Sequence, residues 1–144
     1  MRQPKKFSSE DKELLCLAET AFESVGAKIS GAHFRDGIRE IFKLVDAANK
    51  YLNDAAPWKK IKENREDAER SLFVGAQAIK CLAILVEPYL PSTAEKIQLM
   101  LNIEKQDLIW QYPALKDIVV NEIAPLYKRI EPEQIESERK KLGK

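Results

Sequence analysis

One histidine, two cysteines and five glycines are all that this 144-residue chain holds of the residues on which metal sites, disulfide frameworks and phosphate loops depend. His33, alone between Ala32 and Phe34, builds no catalytic triad and no metal-ligand set, and reads as a surface or helix-capping residue. Cys16 and Cys81 are too few and too far apart for a disulfide framework or a zinc site, so both are expected to fill core space in a reducing cytosol. The glycines form neither a P-loop nor a dinucleotide-binding motif, and no serine nucleophile elbow occurs. No apolar run of about 18 residues offers a membrane span, and the opening MRQPKKFSSEDKELL lacks the apolar stretch of a signal peptide. A formal net charge of +1 excludes a protein that coats nucleic acid by bulk charge; a polyanion would have to meet a local patch.

What is present is helical periodicity. No four-residue stretch alternates cleanly between apolar and polar, which leaves an all-α fold in a single domain spanning 1–144. A first helix is predicted over Ser9–Ile29 after a Ser8-Ser9 start, with Leu14, Ala18, Ala21, Phe22, Val25 and Ile29 on one face and Gly31 ending it. A second runs from about His33 to Leu52, its stripe of Phe34, Ile38, Ile41, Val45, Ala48 and Leu52 widened by Phe42 and Leu44. Asn53-Asp54 is expected to break it, with Pro57 in the first turn of a short following helix. A third, Asn64–Val86, is expected to bury Ala68, Leu72, Ala76, Ile79, Ala83 and Val86, with Gly75 admitting a close neighbour and Pro88 as the stop. A fourth opens at Pro91, where Ser92 and Glu95 have capping-box spacing and Ile97, Met100 and Leu101 supply apolar contacts. Residues 103–124, with Trp110, Tyr112 and Pro113, read as an irregular segment folding back on the bundle. Residues 1–8 read as a flexible lead, and 125–144 as the charged C-terminal part, with a helix from about Pro132 carrying Ile135 and Leu142 as its large apolar residues.

The near-neutral total hides a polarised chain. Residues Asn49 to Arg65 carry a net +3, whereas Ser8 to Ile29 carry −3. Within the basic stretch AANKYLNDAAPWKK places Trp58 on a helix break, trailed by Lys59, Lys60 and Lys62. An aromatic ring beside lysines suits single-stranded RNA, in which unstacked bases stack on rings and cations meet phosphates. The same pattern fits a tryptophan that plugs the end of the bundle beside solvated lysines. Spacing alone leaves both readings open.

The stretch NKYLNDAAPWKKIKE, Asn49 to Glu63, closely resembles the Asn-x-Tyr…Pro-Trp-Lys signature of the anticodon-binding domain of methionyl-tRNA synthetases. FRDGIREIFKLVDAANKYL looks like the helix leading into it, and AIKCLAILVEPYLPSTAEKIQLML like the next helix, its Pro-x-x-Pro turn and the helix after that. The ending APLYKRIEPEQIESERKKL resembles that of archaeal and eukaryote-type members, so the resemblance covers residues 8–142. It implies a helical bundle of the class I synthetase anticodon-binding type that docks on the anticodon loop of a methionine tRNA. By the same resemblance Trp58 contacts the first anticodon base and Pro57 fixes the turn. Lys59, Lys60 and Lys62 are candidates for phosphate contact, and Asn49 is either a further contact or a cap of the second helix.

Two departures qualify that expectation. The chain begins after the helix that in the family carries an asparagine and an arginine as further anticodon readers, and the HIGH-type and KMSKS-type signatures of the catalytic domain are absent. The resemblance therefore implies a domain that forms no methionyl-adenylate by itself, needs no cofactor and works with a catalytic domain in cis or in trans, with no DNA or membrane partner. The alternative is a helical protein-interaction module that docks on a separate catalytic chain or another synthetase, suggested by the charged C-terminal helix.

Overall fold

The computed structural model describes residues 1–104 and 108–142, and every regular element among them is a helix. The helices are α1 (Ser9–Ser30), α2 (Phe34–Ala55), α3 (Pro57–Lys60), α4 (Arg65–Leu85), α5 (Pro91–Met100) and α6 (Pro132–Lys141). Helix α1 opens with a capping box: the Ser8 hydroxyl accepts from the Asp11 N–H at 3.2 Å, and the Asp11 carboxylate accepts from the Ser8 N–H at 2.8 Å. Gly31 closes it, although the left-handed residue of that turn is Ala32, at φ 59°. His33 stands at the N-cap of α2, exposed and without a side-chain capping bond.

Helices α1, α2 and α4 pack on one another, and α3 and α5 cover two further parts of α4. Apolar side chains converge from all three long helices, with Val25, Leu44, Phe73, Val74, Cys81 and Leu85 fully shielded from water. Fully burying a Val, Leu or Phe side chain is worth about 1.5–3 kcal/mol, so this cluster drives the assembly. Burial pushes the Cys81 thiol up to about 12, which keeps it protonated and inert.

Several sequence expectations change in three dimensions. Cys16 lies on the exposed side of α1 and fills no core space. On α2, Ile41, Leu44 and Ala48 are buried, whereas Phe34 and Phe42 are exposed. On α4, Leu72 and Ile79 face water, while Phe73, Val74, Ala78, Cys81, Ile84 and Leu85 form much of the buried surface. From Ser71 onward that helix is largely apolar all round, and a central helix touched from several sides has no unique stripe to read. Gly75 does admit a close neighbour: a Cβ there would stand 2.9 Å from Leu52 Cδ2 of α2. At α5 the capping box between Ser92 and Glu95 does not form. Leu90 is the N-cap and Pro91 the first helical residue, and the buried positions are Thr93, Ala94 and Gln98, with Ile97, Met100 and Leu101 half-buried.

The irregular segment after α5 folds back on the bundle as expected. Trp110 Nε1–H donates to the Phe22 carbonyl at 3.0 Å, and its ring meets Phe22 edge-on at a centroid distance of 6.0 Å. Gln77, buried in α4, donates to the Pro113 carbonyl at 2.7 Å. Further along, Ile118 is buried, its N–H donates to the Met1 carbonyl at 2.8 Å, and the Met1 ammonium returns a bond to the Ile118 carbonyl. Helix α6 begins at Pro132, so residues 125–131 are non-helical, and none of its residues is buried.

Candidate nucleic-acid interface

Helix α2 does not stop at Asn53-Asp54; it continues to Ala55. Asparagine and aspartate disfavour a helix interior by only fractions of a kcal/mol. The proline is decisive, because its ring excludes the right-handed helical conformation from the residue before it. Ala56 accordingly takes φ 42°, ψ 56°, a left-handed cap whose N–H bonds to the Leu52 carbonyl at 2.9 Å. From this inverted residue the chain starts α3 in a new direction, with Pro57 at its first position and the Lys59 and Lys60 N–H groups bonded to the Ala56 carbonyl. Asn64 then caps α4 by accepting from the Asp67 N–H at 3.1 Å.

The turn separates its two ring residues. Pro57 is fully buried, while Trp58 is 59% exposed, with Ile61 also exposed beyond it. The reading in which Trp58 plugs the bundle is thus overturned: the plug is Pro57. Lys59 and Lys62 are exposed and Lys60 is half-buried, and none of the three forms an ion pair among the described residues. Arg65, the last cation of the basic stretch, is engaged by Glu69 at 2.7 Å. Asn49 is exposed within α2, six residues before its end, so it caps no helix.

A buried polar group lies beneath this turn. Asp11 of α1, 2% exposed, accepts from the Tyr51 hydroxyl at 2.5 Å and stands 2.9 Å from Arg70 Nε, an ion pair without hydrogen-bond alignment at that nitrogen. Arg70 also donates to Asp67 at 2.5 Å. Burial pushes the Asp11 carboxyl up, but the bonds from Tyr51 and Ser8 and the charge of Arg70 outweigh it and hold the carboxyl below its ordinary value. Burial and the bond to Asp11 together push the Tyr51 phenol well above its usual range. Arg70 is raised as well, since its carboxylate partners more than offset its desolvation.

Over this group opens a cleft of about 660 Å³ between α1, α2 and the start of α4. Glu10, Glu13 and Asp54 rim it beside Lys50 and Lys60. A rim of both signs does not favour a phosphate inside the cleft, so the unpaired, exposed lysines beyond it are the better anion contacts. Among the described residues no cluster of three or more His, Cys, Asp or Glu side chains is arranged to hold a metal ion, and no helix is long and apolar enough to cross a membrane. The sequence placed Asp11 only in the first turn of α1 and gave Arg70 no role. The signal for Asp11 was its position three residues after Ser8, which marks a helix start; its burial was not legible.

Residues 3–142 match the family described as the anticodon binding domain of methionyl tRNA ligase. The chain is 34% identical over 140 residues to the methionine–tRNA ligase of Methanobrevibacter smithii, covering 95% of this chain and 21% of that protein. It is 35% identical over 128 residues to that of Pyrococcus horikoshii, covering 87% and 17%. The chain thus spans about a fifth of the length of these relatives. A crystal structure of the free form of Mycobacterium tuberculosis methionyl-tRNA synthetase superposes with a TM-score of 0.79 at 20% identity, over 91% of this chain and 28% of that one, which establishes the common fold.

Proposed function

Because this chain belongs to the family of methionyl-tRNA ligase anticodon-binding domains, we propose that it grips the anticodon loop of a methionine tRNA through the Trp58 turn. The observation that carries this reading is the exposure of an indole at a helix break beside unpaired lysines. Trp58 would offer a stacking face to the first anticodon base, a contact worth about 1–3 kcal/mol. Lys59, Lys60 and Lys62 would meet the flanking phosphates, and Asn49 lies exposed on the helix leading to the turn. The domain by itself performs no chemistry in this reading and uses no cofactor. It supports aminoacylation in the cytoplasm by presenting the tRNA to a catalytic domain, in cis or in trans.

A second surface supports contact with that catalytic domain. Helix α6 buries nothing, and Ile123, Tyr127, Ile130, Ile135 and Leu142 are all exposed along the C-terminal stretch. The apolar area exposed at Ile123, Ile130, Ile135 and Leu142, set among charges of both signs, fits a protein partner.

The test is a titration of the Trp110→Phe variant, in which Trp58 alone reports by fluorescence, with a methionine anticodon stem-loop at low salt. Quenching by this loop, and much weaker quenching by a loop with its first anticodon base changed, is the expected result. No change with either loop would refute the assignment of Trp58.

A further inference from the structure

Trp58 sits on a chain segment that bulges out between two long helices, and both arms of that segment are tied to one carboxylate. Tyr51 lies seven residues before Trp58, in the last turns of α2, and its hydroxyl bonds to Asp11 Oδ1. Arg70 lies twelve residues after Trp58, in the second turn of α4, and its guanidinium pairs with Asp11 Oδ2. Asp11 is itself fixed, since the same carboxylate accepts the Ser8 N–H in the capping box of α1. A single buried group thus links the end of α2 and the start of α4 to α1. The chain from Ala56 to Asn64 between them is relayed by backbone bonds from one helix to the next.

We propose that Asp11, Tyr51 and Arg70 are positioning residues for the Trp58 turn: they touch no RNA, and they hold the indole in the orientation in which a base can stack on it. The proposal rests on the anticodon reading of Trp58. Its physical basis is the difference between apolar and polar contacts. Leu52 against Gly75 and the buried Pro57 ring secure the same region, but apolar contacts have no direction and tolerate sliding. A buried carboxylate bonded by the Tyr51 hydroxyl and the Ser8 N–H and paired with the Arg70 guanidinium tolerates little displacement, because losing a bond or the cation leaves a buried charge unsatisfied. A free arm would let the indole sample many orientations, and each stacking event would then have to restrict them. Asp67 reinforces the arrangement by holding the other side of Arg70.

The experiment compares Tyr51→Phe, Arg70→Gln and Trp58→Ala in the Trp110→Phe background (Trp58→Ala has no indole and serves for affinity alone). Affinity for the anticodon stem-loop is measured by a label on the RNA, and motion of the free indole by time-resolved fluorescence anisotropy. Tyr51→Phe keeps the ring and loses the bond to Asp11, so the indole must be ordered on binding and a loss of up to roughly tenfold in affinity is expected. A larger amplitude of nanosecond indole motion, with the helical circular dichroism retained, should accompany it. Arg70→Gln should do the same and answers the question if Tyr51→Phe does not fold. Lower thermal stability with unchanged anisotropy and affinity within twofold would overturn the proposal and leave the network a structural brace. Unchanged affinity in Trp58→Ala would instead overturn the anticodon reading, while the anisotropy would still decide whether the network orders the indole.

Discussion

Pro57 and Trp58 are neighbours in the chain and opposites in environment, the proline ring fully buried and the indole 59% exposed. The left-handed Ala56 before them turns the short α3 so that its first residue enters the bundle and its second leaves it. In the proposed reading, structure and recognition are carried by different residues of one dipeptide, and substitution should separate them. Trp58→Ala is expected to change unfolding free energy by no more than about 0.5 kcal/mol while weakening stem-loop binding by fivefold to a hundredfold, roughly one stacked base. Pro57→Ala should cost about 1 kcal/mol or more of stability through lost burial and greater freedom of the unfolded chain. Urea denaturation beside RNA titration checks both.

Ala56 holds φ 42° with a Cβ that disfavours it. A left-handed conformation costs an ordinary residue about 1–2 kcal/mol, and glycine largely escapes that cost while losing more chain entropy on folding. Ala56→Gly is expected to stabilise the domain by about 0.5–1 kcal/mol, read as a rise in the urea midpoint with an unchanged slope.

Asp11 makes the domain sensitive to acid. Its pKa lies lower folded than unfolded, so its contribution is present above the unfolded value of about 4 and is lost as pH falls through the folded value. Asp11→Asn removes the ion pair with Arg70 and should lower stability at neutral pH by about 3 kcal/mol, as for a broken buried pair. The gap between this variant and the parent should begin to narrow below about pH 4, where the unfolded chain takes up the proton, and should close as pH falls through the lower folded value. Denaturation curves over a pH series test the shape of that difference.

Salt should reveal how many lysines meet phosphate. If Lys59, Lys60 and Lys62 each neutralise one phosphate of a single-stranded loop, log affinity should fall against log salt with a slope of about −2, and Lys62→Ala should reduce it by about 0.7. A salt-independent affinity would remove the lysines from the interface.

The returning segment hangs on Trp110. Trp110→Ala loses the bond to the Phe22 carbonyl and the edge contact with its ring, and a Cβ-sized change at Gly26, 2.9 Å from Nε1, would press on the same place. A loss of about 2–3 kcal/mol is expected, with faster proteolytic cutting between residues 108 and 121.

The helices were largely legible because their ends are marked by local chemistry. Ser8 with Asp11, Asn64, Pro57 and Pro91 act within one turn of the chain. Where two local signals competed, as Asn53-Asp54 against Pro57, steric exclusion by proline outweighed weak propensity. The signature stretch likewise pointed to Trp58 and its lysines from their order alone. What the sequence by itself determined was thus the all-helical class, the helix starts, the family and the residues at the turn, since each depends on neighbours in the chain. Tertiary structure alone decided which side of α4 is core, that Pro57 and not Trp58 fills the bundle, and that Asp11 reaches Tyr51 and Arg70 across three helices. Burial and ion pairing at those positions are set by residues 40 and more places away, and no local pattern encodes which distant side chain will arrive.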